Sequence, residues 1–372
     1  MIDEKLLKPE EKAVYALRSL YDRYGYMPYK MSKFEEYDLY AKNKDFLISE
    51  GIITFTDTRG KLLALKPDVT LSIIKNSKDA DKNLSKVYYN ENVYRIAKGS
   101  HVFKEIMQTG LECIGDIDAY HVAEVISLAI RSLAVLSDAY MLDLSHVGLI
   151  SAMIDTLSLE KNVLKQFLCA IEKKNSGELS ALACEDVLSK EALGLASVLL
   201  KEYNTLESAK SALSPYLVTE EAQMAYSEFA ALYEALSALG LTKHVRIDFS
   251  VINHRGYYSG VVFKGYLKGV PDSVLAGGQY DRMMRKMGRR DGAIGFAVYL
   301  DAIASGKKAQ AEYDVDVLLL KNGADAASVL SEVENLSQSG ERVLATEIAP
   351  EDIRAERVFI MQGKEATPYG ND

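Results

Sequence analysis

The chain has 372 residues, 48% of them hydrophobic, enough to bury one large core and one or two small ones. Its 53 acidic and 44 basic side chains give a net charge of −9, which excludes a broad nucleic-acid footprint, because phosphate binding rests on clustered Lys and Arg. The one dense basic run, KMGRR from Lys286 to Arg290, reads as a solvated loop.

Cys113, Cys169 and Cys184 have no CxxC spacing and no histidine pair nearby, so neither a zinc site nor a disulfide framework is expected. They read as reduced, mostly buried thiols. The opening MIDEKLLKPEEK is charged where a signal peptide needs an apolar run, and no segment reaches the ~18 uninterrupted apolar residues of a membrane span. A cytoplasmic protein without membrane contact is the expectation.

In chain order, Pro9 and the spacing of Val14, Leu17, Leu20 and Tyr21, with Gly25 beyond, predict an amphipathic helix. ITFTDTRGKLLALKPD predicts a hairpin turning at Arg59-Gly60 and ending at Pro67, followed by a short helix in VTLSIIKNSK. Two strands at roughly 86–95 and 104–114 form a long antiparallel hairpin. Residues 120–139 carry a helical stripe and LDLSHVGLI reads as a strand. From 151 to 240 the chain is Ala-, Leu- and Glu-rich with helical periodicity, a helical insertion into a mixed sheet that stops at Gly240.

Strands resume in VRIDFSV, YYSGVVFKGYL and SVLAGGQYD. AIGFAVYL is another, and small residues such as Gly277, Gly278 and Gly295 let backbone or ligand approach closely there. After a polar hinge near 305–312, YDVDVLLL, a helix at 324–339, RVLATEI and RVFIMQ form a β-α-β-β unit, with EATPYGND as a tail. His101, His121, His146, His244 and His254 show no ligand spacing and read as structural or surface residues.

Strands with a helical insertion, a long hairpin, then YYSGVVF and AGGQYD in that order resemble the catalytic core of class II aminoacyl-tRNA synthetases, specifically the histidyl enzyme. The resemblance spans about 1–304. It implies an α+β fold, a class II synthetase-like antiparallel sheet flanked by helices, and makes residues 313–372 a truncated anticodon-binding-like α/β domain. Histidyl enzymes read roughly AGGRYD and GFALGIERL, and the arginine of the second motif, which grips the ATP phosphates, is Ala302 here. In the hairpin, FRYERPQKGRYRQFHQ is replaced by VYRIAKGSHVFKEIMQ, keeping Arg95 after a one-residue shift. Lys98 and Lys104 lack the planar fork that would substitute for the lost arginines. RGLDYY becomes NHRGYY, with Asn253 at the arginine position and Arg255 displaced by two residues onto the same strand face. Each missing cationic donor removes stabilisation of charge developing on a phosphate.

The resemblance implies that the amino-acid pocket is better kept than the phosphate-binding positions. The resemblance implies histidine contacts from Asp68 and Thr70 in LKPDVT, Gln108 and Glu112 in QTGLE, Tyr257, Tyr258, and Tyr280, with Arg95 and Arg255 as residual anion contacts. A carboxylate and an amide hold an α-ammonium, and a buried glutamate accepts the imidazole N–H. Within the family the pattern fits best its non-catalytic paralogues, the regulatory subunits of ATP phosphoribosyltransferase. That implies no catalytic residues, no cofactor, no metal and no tRNA, a homodimer, L-histidine as ligand, and a short-form catalytic subunit as partner. A divergent histidyl-tRNA synthetase and a stand-alone amino-acid-binding protein of the same fold are the alternatives. MSKFEEYDLY stands where the family has its dimer-forming strand, with Ser32 in place of the usual proline, and the tyrosines of the N-terminal third, Tyr21, Tyr24, Tyr26, Tyr29, Tyr37 and Tyr40, serve either that strand's packing or a partner surface.

Overall fold

The computed structural model describes residues 7–44, 47, 51–77, 84–96, 102–184, 187–252, 258–302 and 313–369. Two units divide the chain, Met1–Gly306 and Lys307–Asp372. The first is built on a nine-stranded sheet. Its central strands in spatial order are Ser85–Ile96, Phe103–Gly115, Gly292–Tyr299, Leu275–Gln279, Val261–Leu267 and Tyr140–His146, each antiparallel to the next. Met27–Pro28 closes one edge in parallel, and Val245–Asp248 with Glu202–Tyr203 closes the other.

Alternation along the strands sends Leu111, Cys113, Ile294, Phe296 and Val298 to one face, against the helices Pro9–Asp22 and Ala119–Leu136. Val14, Leu17, Leu20 and Tyr21 are buried as the helical spacing predicts, and Gly25 turns the chain beyond them at φ +78°. A fully buried leucine such as Leu17 contributes about 1.5–3 kcal/mol. The helix Ala119–Leu136 is long and apolar enough to cross a membrane by composition, but its stretch Glu124–Ile130 is entirely buried in this core.

The helices between 156 and 241 share that core rather than forming one of their own: Phe167, Leu195, Phe229 and Leu236 belong to the same cluster as Leu144 and Ile247. The insertion also supplies the edge strand Glu202–Tyr203, which its helical periodicity hides. LDLSHVGLI is only half a strand. The strand stops at His146, whose Nδ1 accepts the Leu149 N–H at 3.0 Å and caps the helix Val147–Asp155.

A second, smaller cluster covers the opposite sheet face. It joins Tyr89, Val93 and Ile114 to the helices Thr70–Asn76 and Asp281–Lys286 through Leu71, Ile73, Met283 and Met284. The predicted hairpin is present as Thr54–Thr56 and Leu62–Leu65, turned at Gly60 with φ +80°. The basic run is not a solvated loop throughout. The Arg289 guanidinium donates to the carbonyls of Ile74 (3.2 Å) and Ser77 (2.6 Å), which ties the run to the end of the helix Thr70–Asn76. Among the tyrosines offered as a partner surface, Tyr21, Tyr26 and Tyr40 are fully buried and none of the six is exposed, so packing claims them. Of the cysteines only Cys113 is buried; Cys169 is half-buried and Cys184 exposed, correcting the expectation of mostly buried thiols.

The second unit has four strands in the order Val343–Thr346, Val315–Leu320, Ala355–Gln362, Glu365–Pro368, with the helix Ala326–Gln338 packed through Val329 on Leu319 and Met361. EATP is therefore no tail: Ala366 and Thr367 pair with Met361 and Ile360, because a two-residue turn at Gly363, φ +69°, folds it back. The predicted hinge at 305–312 lies outside the described residues.

Candidate functional site

The strand Phe103–Gly115 puts Gln108, Gly110, Glu112 and Ile114 on one face by its period of two. Glu112 stands in a cross-sheet row, paired with Val87 on one side and Gly295 on the other; Gly295 pairs with Gly278. The two glycines leave a floor without side chains beside the carboxylate. A Cβ on Gly295 would lie 1.8 Å from Glu112 Oε2, and one on Gly278 2.6 Å from the Tyr258 ring, so only glycine fits at either place.

Over this floor lies a cleft lined by Asp68, Thr70, Arg95, Gln108, Glu112 and Tyr258, with Tyr280 at its end. Every site residue expected from the sequence that lies among the described residues is brought into it. Asn253, Arg255 and Tyr257 lie outside them. The start of the helix Thr70–Asn76 closes the cleft from above. Asp68 caps that helix through Oδ1, which accepts the Leu71 N–H at 2.8 Å, and the Thr70 hydroxyl donates to Glu112 Oε1 at 2.6 Å. The Tyr280 hydroxyl donates to Glu112 Oε2 at 2.5 Å.

Burial pushes the Glu112 carboxyl up to about 8, against the pull of the Thr70 and Tyr280 hydroxyls, with the Asp68 charge adding to the rise. Asp68 is also raised by burial, held back by the Leu71 N–H and by Arg95. Arg95, only 9% exposed, donates from Nε to the Pro67 carbonyl at 2.8 Å. Gln108 is 3% exposed, and its Nε2 has no partner among the described residues. A buried donor with no acceptor among the described residues, beside a carboxyl that resists ionising, marks a place prepared for a polar ligand. Such a ligand carries an N–H or a cation toward Glu112 and an acceptor toward Gln108 and Arg95.

Sequence reasoning missed Tyr89 and Tyr299 in the lining. Tyr299 was recoverable: in GFAVYL it falls two and four residues after Ala297 and Gly295, on the same face. Ala302, at the place of a phosphate-holding arginine, is half-buried against the main core and carries no charge to the cleft. Among the described residues no group of three or more His, Cys, Asp or Glu could hold a metal ion.

A profile of the histidyl-tRNA synthetase family matches residues 3–303. The chain belongs to that family. Similar proteins include the ATP phosphoribosyltransferase regulatory subunit of Clostridium kluyveri, 27% identical over 336 residues covering 87% of this chain and 85% of the relative. The protein of that name from Bacillus thuringiensis strain Al Hakam is 28% identical over 308 residues, 81% of this chain and 73% of the relative. Among solved structures, an ATP phosphoribosyltransferase regulatory subunit/histidyl-tRNA synthetase from Bacillus halodurans superposes with TM-score 0.75 at 22% identity, covering 97% of this chain and 96% of the other. The histidyl-tRNA synthetase of Nostoc gives 0.69 at 15% identity, with coverages of 95% and 87%. A chain of the Thermotoga maritima ATP phosphoribosyltransferase (HisG:HisZ) complex gives 0.61 at 17%, with coverages of 78% and 97%. At these identities the structural likeness is one of fold, and the fold is that of the class II synthetase core expected from the motifs.

Proposed function

We propose that this chain is the regulatory, non-catalytic subunit of an ATP phosphoribosyltransferase: a homodimer that assembles with a short-form catalytic subunit and makes its activity depend on L-histidine. One contrast carries the reading. The cleft gathers Asp68, Thr70, Gln108, Glu112, Tyr258 and Tyr280, while the position that would neutralise a triphosphate is Ala302, half-buried against the core. A family fold with an amino-acid cleft but an alanine at the phosphate-gripping position is expected to bind without adenylating, because that cation no longer stabilises transition-state charge on the phosphate. The names of the two relatives support the role, and the Thermotoga maritima complex supports a catalytic partner.

Histidine fits the polarity of the cleft. Its imidazole N–H meets Glu112, its ammonium Asp68, and its carboxylate Arg95 and the Gln108 N–H, a donor that suits the carboxylate rather than the ammonium expected from the sequence. A bound amino acid regulates only if it binds two states of the complex with different affinity, so feedback requires the partner. Reconstitution tests this. Mixed with a short-form phosphoribosyltransferase, the chain is expected to form a larger species on a sizing column, to raise its activity, and to confer inhibition by histidine. It is expected to show no histidine-dependent ATP–pyrophosphate exchange. A mixture that neither associates nor gains activity refutes the regulatory role.

A further inference from the structure

The two ends of the cleft differ in kind. At one end is an acceptor, the Glu112 carboxylate, over a floor of glycine. Four residues back along the same strand, ~13 Å away at the usual strand rise, the floor changes. There Gln108 pairs directly with Tyr299, so Gly295, Ala297 and Tyr299 climb along one face from no side chain to a phenol. Arg95 lines the same end beside Tyr299, anchored by its Nε on the Pro67 carbonyl. In the family pattern GFALGIERL, which aligns with GFAVYLDAI here, this position is a glycine.

We propose that Tyr299, beside Arg95, closes the end of the cleft opposite Glu112, so that the site takes a free α-amino acid and shuts out molecules whose α-carboxyl carries a further group, such as a peptide, an ester or an acyl phosphate. The inference deepens the histidine reading above and rests on it. Its physical content is steric and electrostatic together. The phenol occupies the space a carboxyl substituent needs, and the donors around it, the Arg95 guanidinium and the unpartnered Gln108 amide, match a bare carboxylate better than an uncharged ester or amide. A regulatory site has use for this selectivity, since it must report the free amino acid and ignore carboxyl-activated or peptide-linked forms.

The test is calorimetric titration of the full chain, in its complex with the catalytic subunit, with L-histidine and with L-histidyl-glycine. The wild type is expected to prefer histidine by about a hundredfold or more, the cost of a clash plus an unmatched donor. Tyr299→Gly should admit the dipeptide and cut the preference to about tenfold or less; Tyr299→Ala, in case the glycine variant folds poorly, should do the same in weaker measure. Tyr299→Phe keeps the ring and is expected to keep the exclusion. An unchanged preference in folded Tyr299→Gly and Tyr299→Ala, or equal binding of both ligands by the wild type, overturns the inference and leaves the histidine reading standing. Failure of histidine to bind the wild-type complex removes both.

Discussion

Two polar clusters share one face of the large sheet and behave oppositely. The register that carries Ala297 to Ala276 continues through Lys264 and Asp143 to Arg246, so the Glu112 cleft and an ion-pair cluster lie side by side. In the second cluster Arg246 holds Asp143 with two bonds, at 2.7 and 2.8 Å, and Glu202 with a third at 2.7 Å, while Lys174 pairs with Glu202 and lies 2.9 Å from Asp248. Each of those carboxylates meets a cation, and the pairs span the helical insertion and the sheet. In the cleft, the carboxyl that stands deepest meets only hydroxyls, and an amide donor meets nothing. Charges paired within the chain hold structure together; a carboxyl pushed up by burial and a donor left over wait for a ligand.

The largest expected effect that sharpens this contrast is on pH dependence. The folded-state value of Glu112, about 8, lies above its ordinary 4.5, so its contribution to stability is fully present below pH 4.5 and is lost as pH rises through 8. The full swing is roughly 5 kcal/mol by the linkage relation. Denaturant melts of ligand-free wild type and Glu112→Gln between pH 5 and 9 are expected to diverge in that direction, the variant gaining relative stability as pH rises. Next, Arg246→Ala leaves Asp143, 2% exposed, without its guanidinium, and is expected to destabilise by roughly 3 kcal/mol in chemical denaturation. Adding Asp143→Asn should return a large part of the loss, and histidine affinity should not move, because nothing in that cluster lines the cleft.

Smaller effects probe the cleft alone. Glu112→Gln is expected to weaken histidine binding by about 2 kcal/mol, the worth of a charge-assisted hydrogen bond, and calorimetry in buffers of different ionisation enthalpy should show proton release for the wild type near neutral pH and none for the variant. Gly295→Ala puts a methyl group where Glu112 Oε2 now lies, and is expected to cost roughly 1–3 kcal/mol of stability and to displace the carboxylate, seen as a matching loss of histidine affinity. Equal histidine binding by wild type and Gly295→Ala would show that Glu112 is not where the ligand is read.

Periodicity alone placed the opening helix, the hairpins, the long antiparallel pair and most sheet strands, because burying one face of a helix or strand fixes a spacing of 3.6 or 2 that the chain states openly. It failed where tertiary contacts set the outcome. VGLI is apolar enough for a strand and became a helix because the His146 imidazole caps it. EATP is too short and polar to announce a strand, and pairs because Gly363 turns it onto a neighbour already in place. The edge strand Glu202–Tyr203 is two residues long and exists only against Val245–Asp248.

The site divides along the same line. Motif order in the sequence named Asp68, Thr70, Gln108, Glu112, Tyr258 and Tyr280, residues whose type and local context suffice to suggest their chemistry. What only the folded chain decided is how they meet: that Gly295 lies under the Glu112 carboxylate, that Asp68 spends one oxygen on a helix cap, that Gln108 keeps an unused donor, and that Tyr299 stands across from it beside Arg95. Burial and cross-strand register create those relations between residues up to two hundred positions apart, and neither quantity is a property of any local stretch of sequence.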